Sequence, residues 1–549
     1  MDVIKANMAF RGLALALLVL ISRFSSCYLL PPPSSYGFVQ CLTENIPSEL
    51  IFTPGSSNFT AVLVSTIRNS RFLPLANDTT TERLRRPICV VTVTDASHVQ
   101  AAVRCGRATG VRLRVRSGGH DYEGLSYRSA RPAEEAFAVV DMAGLRAITF
   151  TTDGGERWAW VDSGATVGEL YHAIGKRNAG LAFPAGVCPT LGVGGHFSGG
   201  GIGSMMRKYG LSVDNVVDAK VVDANGDLLG SREAMGEDLF WAIRGGGGES
   251  FGVVVSWKVR LVKVPSTVTV LRITRTVAQG AVDAVTKWQH VAPTLPDGVN
   301  MEVLVQGQQA VFQSLYLGTC HHILPTIVSR LPELNATAAD CKEMTWLEST
   351  AFMNFGDTNT TALLDRSTGL NFFKNKSDYV RRAIAKRVWL EIFTNWLAMN
   401  GSGQLILEPH GGFVGAVPAG ATPYPHRSGV LYNIQYVASW SAGGDDSSSA
   451  AAMNWIDGLY DFMGQHVTKS PREAYVNFRD LDIGQNTVVN DVSTFHSGKV
   501  WGHKYFEVLR QQQLPEARDG EGEGGSDRLL QERTEHPATA PKQLTEESN

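Results

Sequence analysis

Two glycine-rich motifs hold the residues whose types and spacing could do chemistry. The first runs from Arg116 to Tyr122 with the sequence RSGGHDY, and the second runs from Cys188 to Gly201 with the sequence CPTLGVGGHFSGGG. Adjacent glycines allow the backbone to turn successive N–H groups toward an anion such as phosphate, or to lie against a flat or extended ligand. His120 follows the first pair of glycines, where it could meet such a bound molecule.

The motifs by themselves leave the chemistry open. A Gly-Gly-His turn that stands alone is more often structural than functional. These runs contain no dinucleotide-binding G-x-G-x-x-G pattern, because Phe197 stands where the last glycine after Gly192 and Gly194 would be required. They also contain no phosphate-binding P-loop, because no Gly-Lys-Ser/Thr follows.

The two motifs resemble the covalent-FAD signature of the plant berberine bridge enzyme-like family. The resemblance covers about residues 37–506 and implies that FAD is attached through both His120 and Cys188. It also implies an α+β fold, in which a two-part FAD-binding domain of the vanillyl-alcohol-oxidase or PCMH type holds an inserted substrate domain, an antiparallel sheet covered by helices. Further matches are RKYGL at 207–211, DNVVDA at 214–219, WAIRGGG at 241–247, PHR at 425–427 and RDLD at 479–482.

The resemblance assigns the residues around the cofactor. Two covalent tethers would fix the flavin ring and make it a stronger oxidant, while His196 would help to stabilise the reduced, anionic flavin. No metal site is predicted. The other residues that the resemblance places at the cofactor are Arg116, Ser117, Gly118, Gly119, Asp121, Gly192, Val193, Gly194, Gly195 and Gly199.

The reaction that the resemblance implies is the oxidation of an alcohol, in which a base takes the substrate proton while hydride passes to the flavin. Tyr122, Gln435, Asn433 and position 478 are expected around the substrate. Here the sequence departs from the family pattern. Phe478 stands where a tyrosine base is usual and cannot accept a proton, and Asn433 stands where a lysine often lowers the pKa of a neighbouring phenol. Ile202 replaces a usual tyrosine or phenylalanine.

Leu191 occupies the position that acts as an oxygen gate in the family, three residues after the flavin-linked cysteine. Valine at this position permits oxygen to approach the flavin, and a bulkier residue hinders it. Leucine therefore predicts weak oxygen reactivity and an electron acceptor other than oxygen.

Two hypotheses follow for function. The first is a secreted FAD-dependent oxidoreductase acting on an alcohol of the carbohydrate or the monolignol and phenylpropanoid type. The alternative is a catalytically impaired secreted flavoprotein, or a pseudogene product with a truncated FAD domain. The intact flavin motifs favour the enzyme, and Phe478, Ile202, Asn433 and the atypical C-terminal tail favour the alternative.

The elements that must position these motifs alternate between strands and helices, then change character after Pro265. Strands are predicted at 87–93, 112–116, 157–161 and 251–264, helices at 95–110 and 166–177, and a hairpin turn at Asn225-Gly226. Beyond Pro265, amphipathic runs at 388–399 and 450–463 accompany a strand at 431–436 whose alternate side chains share a face. The expected domains are the FAD-binding domain at 37–265, the substrate-binding domain at 266–474 and a return to the FAD-binding domain at 475–510.

The N-terminus predicts secretion. Positive charges at Lys5 and Arg11 precede a ten-residue apolar core, so residues 1–27 are expected to be a signal peptide rather than a membrane span. A net charge of −3 over 549 residues gives no electrostatic reason to expect nucleic acid or membrane partners. We expect the apoplast or cell wall as the destination, with the vacuole as the alternative. N-glycans are expected at several of Asn58, Asn77, Asn335, Asn359, Asn375 and Asn400.

Cysteine pairing is the default in an oxidising compartment, although spacing alone cannot assign the pairs. The family resemblance implies that Cys41 pairs with Cys105. Cys320 and Cys341 could then form a local bridge, which would leave Cys89 over.

The C-terminal tail does not match the family. Residues 511–549 are polar and rich in glycine and glutamate, which is typical of disorder. Codons chosen for this stretch and read one nucleotide later can encode a family-like segment. The tail is therefore interpreted as aberrant, the product of a frameshift between about Phe506 and Leu514.

Overall fold

The computed structural model describes residues 35–73, 86–129, 136–153, 156–247, 250–367, 369, 371–399, 401–441, 446–469, 471–484, 488–489 and 492–493. The expected signal peptide, the sequons at Asn77 and Asn400, most of the 475–510 return segment beyond position 484, and the tail at 511–549 lie outside the described residues. Within the described part, no helix has the length and apolar character needed to cross a bilayer.

The first sheet carries the strand that leads into the RSGGHDY motif. In the described residues it has the order β1-β2-β4-β3, with β2, β4 and β3 parallel and β1 antiparallel to β2. The helix at Ala96–Thr109 packs on it, begins at the Asp95 cap and ends at Gly110, which has a φ of 72°. The strands are β1 (Ile51–Phe52), β2 (Val90–Thr92), β3 (Arg112–Arg116) and β4 (Phe137–Asp141).

A second, antiparallel sheet packs beside the first and carries the elements next to the CPTLGVGGHFSGGG motif. Asn225-Gly226 forms the predicted turn between two of its strands. Five strands of the described chain pair in the order β5-β6-β10-β8-β9, and two short ones, β7 and β11, pair separately. The strands are β5 (Ile148–Asp153), β6 (Glu156–Asp162), β7 (Leu181–Ala182), β8 (Val216–Val222), β9 (Leu228–Leu229), β10 (Val253–Arg260) and β11 (Val262–Lys263).

The third sheet is antiparallel throughout and builds the opposite wall of the site. Its strands in the described chain pair in the order β15-β12-β14-β13-β17-β18-β16. Alternate residues such as Val303, Leu407 and Ile434 pack against helices on one face. The strands are β12 (Val268–Thr276), β13 (Val299–Gln306), β14 (Gln309–Tyr316), β15 (Cys341–Met344), β16 (Asn371–Val380), β17 (Gln404–Pro409) and β18 (Tyr432–Ser441); β19 (Val488–Val489) and β20 (Val492–Ser493) form a separate pair.

Helices cover the sheets. The predicted helix at 166–177 forms from Val167, with Thr166 and Glu169 making a reciprocal capping box. The run at 388–399 forms a helix at Lys386–Glu391 that continues as a π-helix at Ile392–Trp396. The remaining α-helices are Ser35–Asn45, Phe59–Val64, Val193–Ser198, Met206–Tyr209, Arg232–Ala242, Ala281–Val291, Cys320–Arg330, Trp346–Phe355, Gly412–Ala416 and Asp446–Met463.

Both disulfides expected from the sequence are present. Cys41 is bonded to Cys105 and Cys320 to Cys341. Cys89 is free and buried, and burial raises the pKa of its thiol to about 12, so the thiol stays protonated and unreactive.

Among the sequons, Asn375 is unsuited to carry a glycan. Asn375 is fully buried on β16, and its Oδ1 accepts a hydrogen bond from Gln435 at 2.8 Å. A glycan cannot be accommodated there in the folded protein. Asn58, Asn335 and Asn359 are exposed.

Candidate cofactor and substrate site

A cavity of about 780 Å³ lies between the two glycine-rich motifs and the polar face of the third sheet. Such a volume falls in the usual range for small-molecule and cofactor sites. The RSGGHDY motif, the CPTLGVGGHFSGGG motif and the third sheet each contribute to its walls. Neither the first two sheets nor the third sheet therefore forms the cavity alone. Of the residues expected at the site, those lining it are Ser117, Gly118, Gly119, His120, Asp121, Tyr122, Cys188, Leu191, Gly192, Gly194, Gly195, His196, Gln435 and Phe478.

The two motifs pack backbone to backbone, and this explains their glycines. A Cβ added at Gly118 would lie 2.3 Å from the backbone nitrogen of Gly192, and one added at Gly192 would lie 2.1 Å from Ser117 Oγ. No side chain fits at either position. The contact aligns the residues that follow each glycine run along one wall of the cavity.

His120 and Cys188 meet at Thr190 on that wall. The Thr190 hydroxyl lies 2.9 Å from His120 Nε2 and 3.4 Å from Cys188 Sγ. The Cys188 thiol is free and partly exposed to the cavity. Two groups that are 68 positions apart in the sequence can therefore reach one bound molecule.

His120 is neutral at physiological pH. Burial lowers the pKa of its imidazole to about 3, and the nearby Arg68 charge acts in the same direction. The Arg68 guanidinium is fixed by carbonyl oxygens, since its Nε donates to Gly118 O at 3.2 Å and its Nη2 to Arg366 O at 3.0 Å. A neutral ring leaves a nitrogen lone pair available for bonding.

His196 is held in one tautomer. The backbone N–H of Gly186 donates to His196 Nε2 at 2.8 Å, so the ring proton resides on Nδ1. Burial lowers the pKa of this imidazole to about 4, and the ring is neutral. Within the cavity it is a neutral hydrogen-bond donor in a fixed position.

Tyr122 and Gln435 meet on the side of the cavity formed by the third sheet. Gln435 Nε2 donates to Tyr122 Oη at 2.7 Å. The ring of Phe478 contacts Tyr122 and Tyr475 edge-on, with centroids 5.9 and 4.9 Å apart. Burial raises the pKa of the Tyr122 phenol above its ordinary value of 10, so Tyr122 stays protonated.

Four of the expected site residues do not line the cavity. Arg116 is fully buried below it, where its guanidinium donates to Asp141 Oδ2 at 2.6 Å. Val193 lies in the core, and Gly199 packs against the side chain of Asn477. Asn433 is buried beside the cavity and donates from Nδ2 to Glu408 Oε2 at 3.0 Å. Because Arg116 is buried and bonded to Asp141, it stabilises the RSGGHDY motif and does not border the cavity.

Two carboxylates were missed by the sequence analysis. Glu302 on β13 and Glu408 on β17 both line the cavity. The signal was present in the strand pattern, because Leu405 and Leu407 are apolar residues at alternate positions and place the charge of Glu408 on the opposite face. Thr190 was also missed, since a threonine inside a glycine-rich run carries no distinctive spacing.

The donor set and space of the cavity fit FAD. No described residue accepts a hydrogen bond from the backbone N–H groups of Gly118, Gly119 or His120, which leaves them available to an anionic or carbonyl group. A Cβ at Gly195 would meet no atom within 4 Å, so the backbone there borders open space. A neutral histidine and a free thiol on the same wall complete a set suited to covalent attachment.

Comparison with known protein families gives a match to the FAD binding domain over residues 87–231. Berberine bridge enzyme-like Cyn d 4 of Cynodon dactylon is 51% identical over 505 residues, which are 90% of this chain and 94% of that protein.

Solved structures agree in fold. Phl p 4, a grass pollen allergen with glucose dehydrogenase activity, is 49% identical with a TM-score of 0.81, and the match covers 86% of this chain and 94% of that one. A variant of Phl p 4 in which one isoleucine is replaced by valine is described as a glucose oxidase. Berberine bridge enzyme of Eschscholzia californica is 32% identical with a TM-score of 0.80, over 92% of this chain and 100% of that one.

Proposed function

Because the chain belongs to the berberine bridge enzyme-like family of FAD-binding oxidoreductases, we propose that it oxidises an alcohol group of a carbohydrate, using FAD held covalently by His120 and Cys188. The single observation that carries the proposal is the meeting of a neutral His120 and a free Cys188 thiol at Thr190, on the wall of one cavity.

The cofactor would be held by residues of both motifs. His120 and Cys188 supply the two attachment points, and the free N–H groups of Gly118 and Gly119 supply hydrogen bonds. When bound, FAD supplies the two-electron oxidant that the protein itself lacks. His196 Nδ1–H supports negative charge on the reduced cofactor, because a neutral donor fixed by Gly186 needs no rearrangement during the reaction.

The substrate class follows from the face opposite the motifs. Glu302, Gln404, Glu408 and Gln435 present carboxylate and amide groups to the cavity from neighbouring strands. Each of Glu302, Glu408 and Gln435 already has a partner in the protein but keeps a further oxygen for which no hydrogen bond is seen among the described residues. The hydroxyl groups of a sugar can donate to these oxygens, whereas an aromatic alcohol has too few donors to do so. The glucose dehydrogenase activity of Phl p 4 supports the same class.

Leu191 supports a dehydrogenase rather than an oxidase. Its side chain borders the cavity beside His196, since a Cβ at Gly186 would lie 2.9 Å from Leu191 Cδ1 and 3.0 Å from the His196 ring. Wild-type Phl p 4 is a glucose dehydrogenase, and its variant in which one isoleucine is replaced by the smaller valine is a glucose oxidase. We therefore propose an electron acceptor other than oxygen.

Secretion is part of the proposal. Disulfides are typical of proteins made in an oxidising compartment, and the described part of this chain holds two. The sequons at Asn58, Asn335 and Asn359 lie in exposed positions. Expression in plant cells with the native N-terminus should deliver the protein outside the cell with glycans at these sites and none at Asn375. Retention of the protein in the cytosol without glycans would contradict it.

The proposed function is tested by steady-state turnover with an artificial dye as electron acceptor. Purified protein is offered sugars, oligosaccharides and cinnamyl-type alcohols, and the double variant His120→Ala, Cys188→Ala serves as the control. Turnover with sugars, giving the corresponding lactone or aldehyde, supports the proposal. Turnover with cinnamyl-type alcohols alone would change the substrate class, and flavin-loaded protein without turnover on any alcohol would favour an impaired flavoprotein.

A further inference from the structure

Glu408 belongs to a row of polar side chains that crosses the third sheet. Glu408 on β17 is paired with Asn433 on β18, and Glu302 on β13 is paired with Gln313 on β14. Because Val303 pairs with Leu407, the two glutamates lie next to each other on adjacent strands. Both pairs are hydrogen-bonded, with Asn433 Nδ2 donating to Glu408 Oε2 at 3.0 Å and Gln313 Nε2 donating to Glu302 Oε1 at 2.8 Å.

One oxygen of Glu408 is free to act. Among the described residues, Glu408 Oε1 has no hydrogen-bond partner, and no lysine, arginine or histidine forms an ion pair with the carboxylate. Burial raises the pKa of Glu408 to about 7, and the charge of Glu302 acts in the same direction against the Asn433 hydrogen bond. A carboxyl group in this state can both accept and release a proton near neutral pH.

The tyrosine and histidine side chains that line the cavity are less suited than Glu408 to accept a proton. Tyr122 is protonated and already accepts a hydrogen bond from Gln435. Burial raises the pKa of Tyr475 to about 12, and its Oη accepts from the backbone N–H of Gly201 at 3.0 Å. The unprotonated ring nitrogen of His196, Nε2, already accepts a hydrogen bond from the backbone N–H of Gly186. The Phe478 side chain has no atom that can accept a proton.

We propose that Glu408 is the catalytic residue that takes the proton from the substrate hydroxyl, a role that rests on the proposed function. The O–H bond of the alcohol breaks and its proton moves to Glu408 Oε1. The C–H bond of the same carbon would break and its electron pair would leave with the hydrogen as hydride, for which bound FAD would supply the two-electron oxidant, so that a C=O bond forms. Asn433 positions the carboxylate by holding Oε2, and the side chain at 478 needs no acid–base function.

The first test is the pH profile of the flavin-loaded protein with the preferred sugar and a dye acceptor. In the wild type, kcat/KM should rise with pH through about 7, because the base must be deprotonated. Glu408→Gln should lower kcat by about 10²- to 10⁴-fold, the usual range for general base catalysis, with little change in KM and without the rise. Retained kcat with an unchanged profile, or a loss confined to KM, would overturn the proposal.

A companion variant tests the neighbouring carboxylate. Glu302→Gln removes a like charge that raises the pKa of Glu408, so the rise in kcat/KM should move to lower pH. Glu391→Gln, at an exposed position at the end of a helix, is the matched control and should leave the profile unchanged. An identical profile for all three proteins would contradict the assignment.

The second test needs no turnover. Infrared spectra of the resting holoprotein should contain the band of a protonated carboxyl group that disappears as the pH rises through about 7. The band should be absent in Glu408→Gln, whose flavin content and circular dichroism show whether it is folded. If the wild type has no such band at low pH, or if the band does not change as the pH rises through about 7, the role of Glu408 is overturned. Its presence in a protein that oxidises no alcohol would overturn only the proposed function.

Discussion

At the residue scale, the chemistry of the site depends on a few side chains whose neighbours set their charge. Burial lowers the pKa of His120 and His196, so both rings are neutral, and it raises the pKa of Glu408 to about 7. The same physical cause acts in opposite directions on bases and acids, because the charged form is the one that burial disfavours. The residues that we propose for cofactor attachment and for proton transfer therefore lie on different walls of one cavity.

The attachment of the flavin is the first prediction at this scale. Since His120 and Cys188 both reach Thr190, each single alanine variant should keep the flavin after acid precipitation, and the double variant should release all of it. The measurement is the colour of the washed precipitate, with Cys89→Ala as the control for a cysteine buried outside the cavity. Complete loss of colour from the unmutated protein would end the idea of covalent attachment.

Oxygen reactivity is the second prediction. Leu191→Val removes one methylene beside His196, at the cavity wall formed by the second motif, and should make room for oxygen at the cofactor. We expect aerobic reoxidation of the reduced flavin to accelerate by about tenfold or more, while anaerobic reduction by the substrate changes little. The two rates are measured by stopped-flow absorbance. Fast reoxidation of the wild type that Leu191→Val leaves unchanged would contradict the role of Leu191.

At the element scale, β16 joins the third sheet to the flavin side through a buried ion cluster. Lys374 Nζ contacts Glu123, the residue directly after the RSGGHDY motif, and lies 2.8 Å from Asp480 Oδ1. Burial by itself would lower the pKa of Lys374, but the two carboxylates outweigh it and raise the pKa, so the lysine stays charged. Three separate stretches of chain therefore share one cluster.

Removing the cation of this cluster gives a stability prediction. Lys374→Met removes the buried cation that contacts both Glu123 and Asp480, which leaves Arg128 at 3.8 Å from the first and Lys376 at 3.1 Å from the second. We expect the free energy of unfolding to fall by about 3 kcal/mol, the lower end of the range for breaking a buried ion pair. Lys386→Met breaks the exposed pair with Asp283, whose N–O distance is 2.5 Å, and should cost about 1 kcal/mol or less. The two variants are compared by urea denaturation. Equal midpoints for both would show that the cluster does not hold the segments together.

Many of the helices, strands and turns could be predicted from the sequence. The helix at 95–110 has a capping Asp95 and a terminal Gly110, and the turn at Asn225-Gly226 has a glycine at 226 whose φ is 80°, so local chemistry determined both. The adjacency of Glu302 and Glu408 could not be predicted, because it depends on the register of strands about 100 residues apart. The buried state of Asn375 also follows from sheet pairing rather than from its sequon.

At the scale of the whole molecule, the cavity exists because two bodies of structure meet. The glycine-rich motifs supply one wall, and the third sheet supplies the other, while Asn477 donates from Nδ2 to His196 O at 3.0 Å and brings the chain back to the first wall. The family resemblance anticipated the flavin motifs, but the polar row opposite them became visible only in the folded chain. The frameshift inferred for the tail at 511–549 stays a prediction, since that segment lies outside the described residues.

The central claim is that this cavity holds a covalent flavin that accepts electrons from a sugar alcohol. Anaerobic mixing of the purified yellow protein with glucose or an oligosaccharide, followed by flavin absorbance, tests it most directly. We predict that the flavin bleaches and that a dye acceptor restores its colour. A flavin that remains oxidised in the presence of every sugar and cinnamyl-type alcohol would contradict the account.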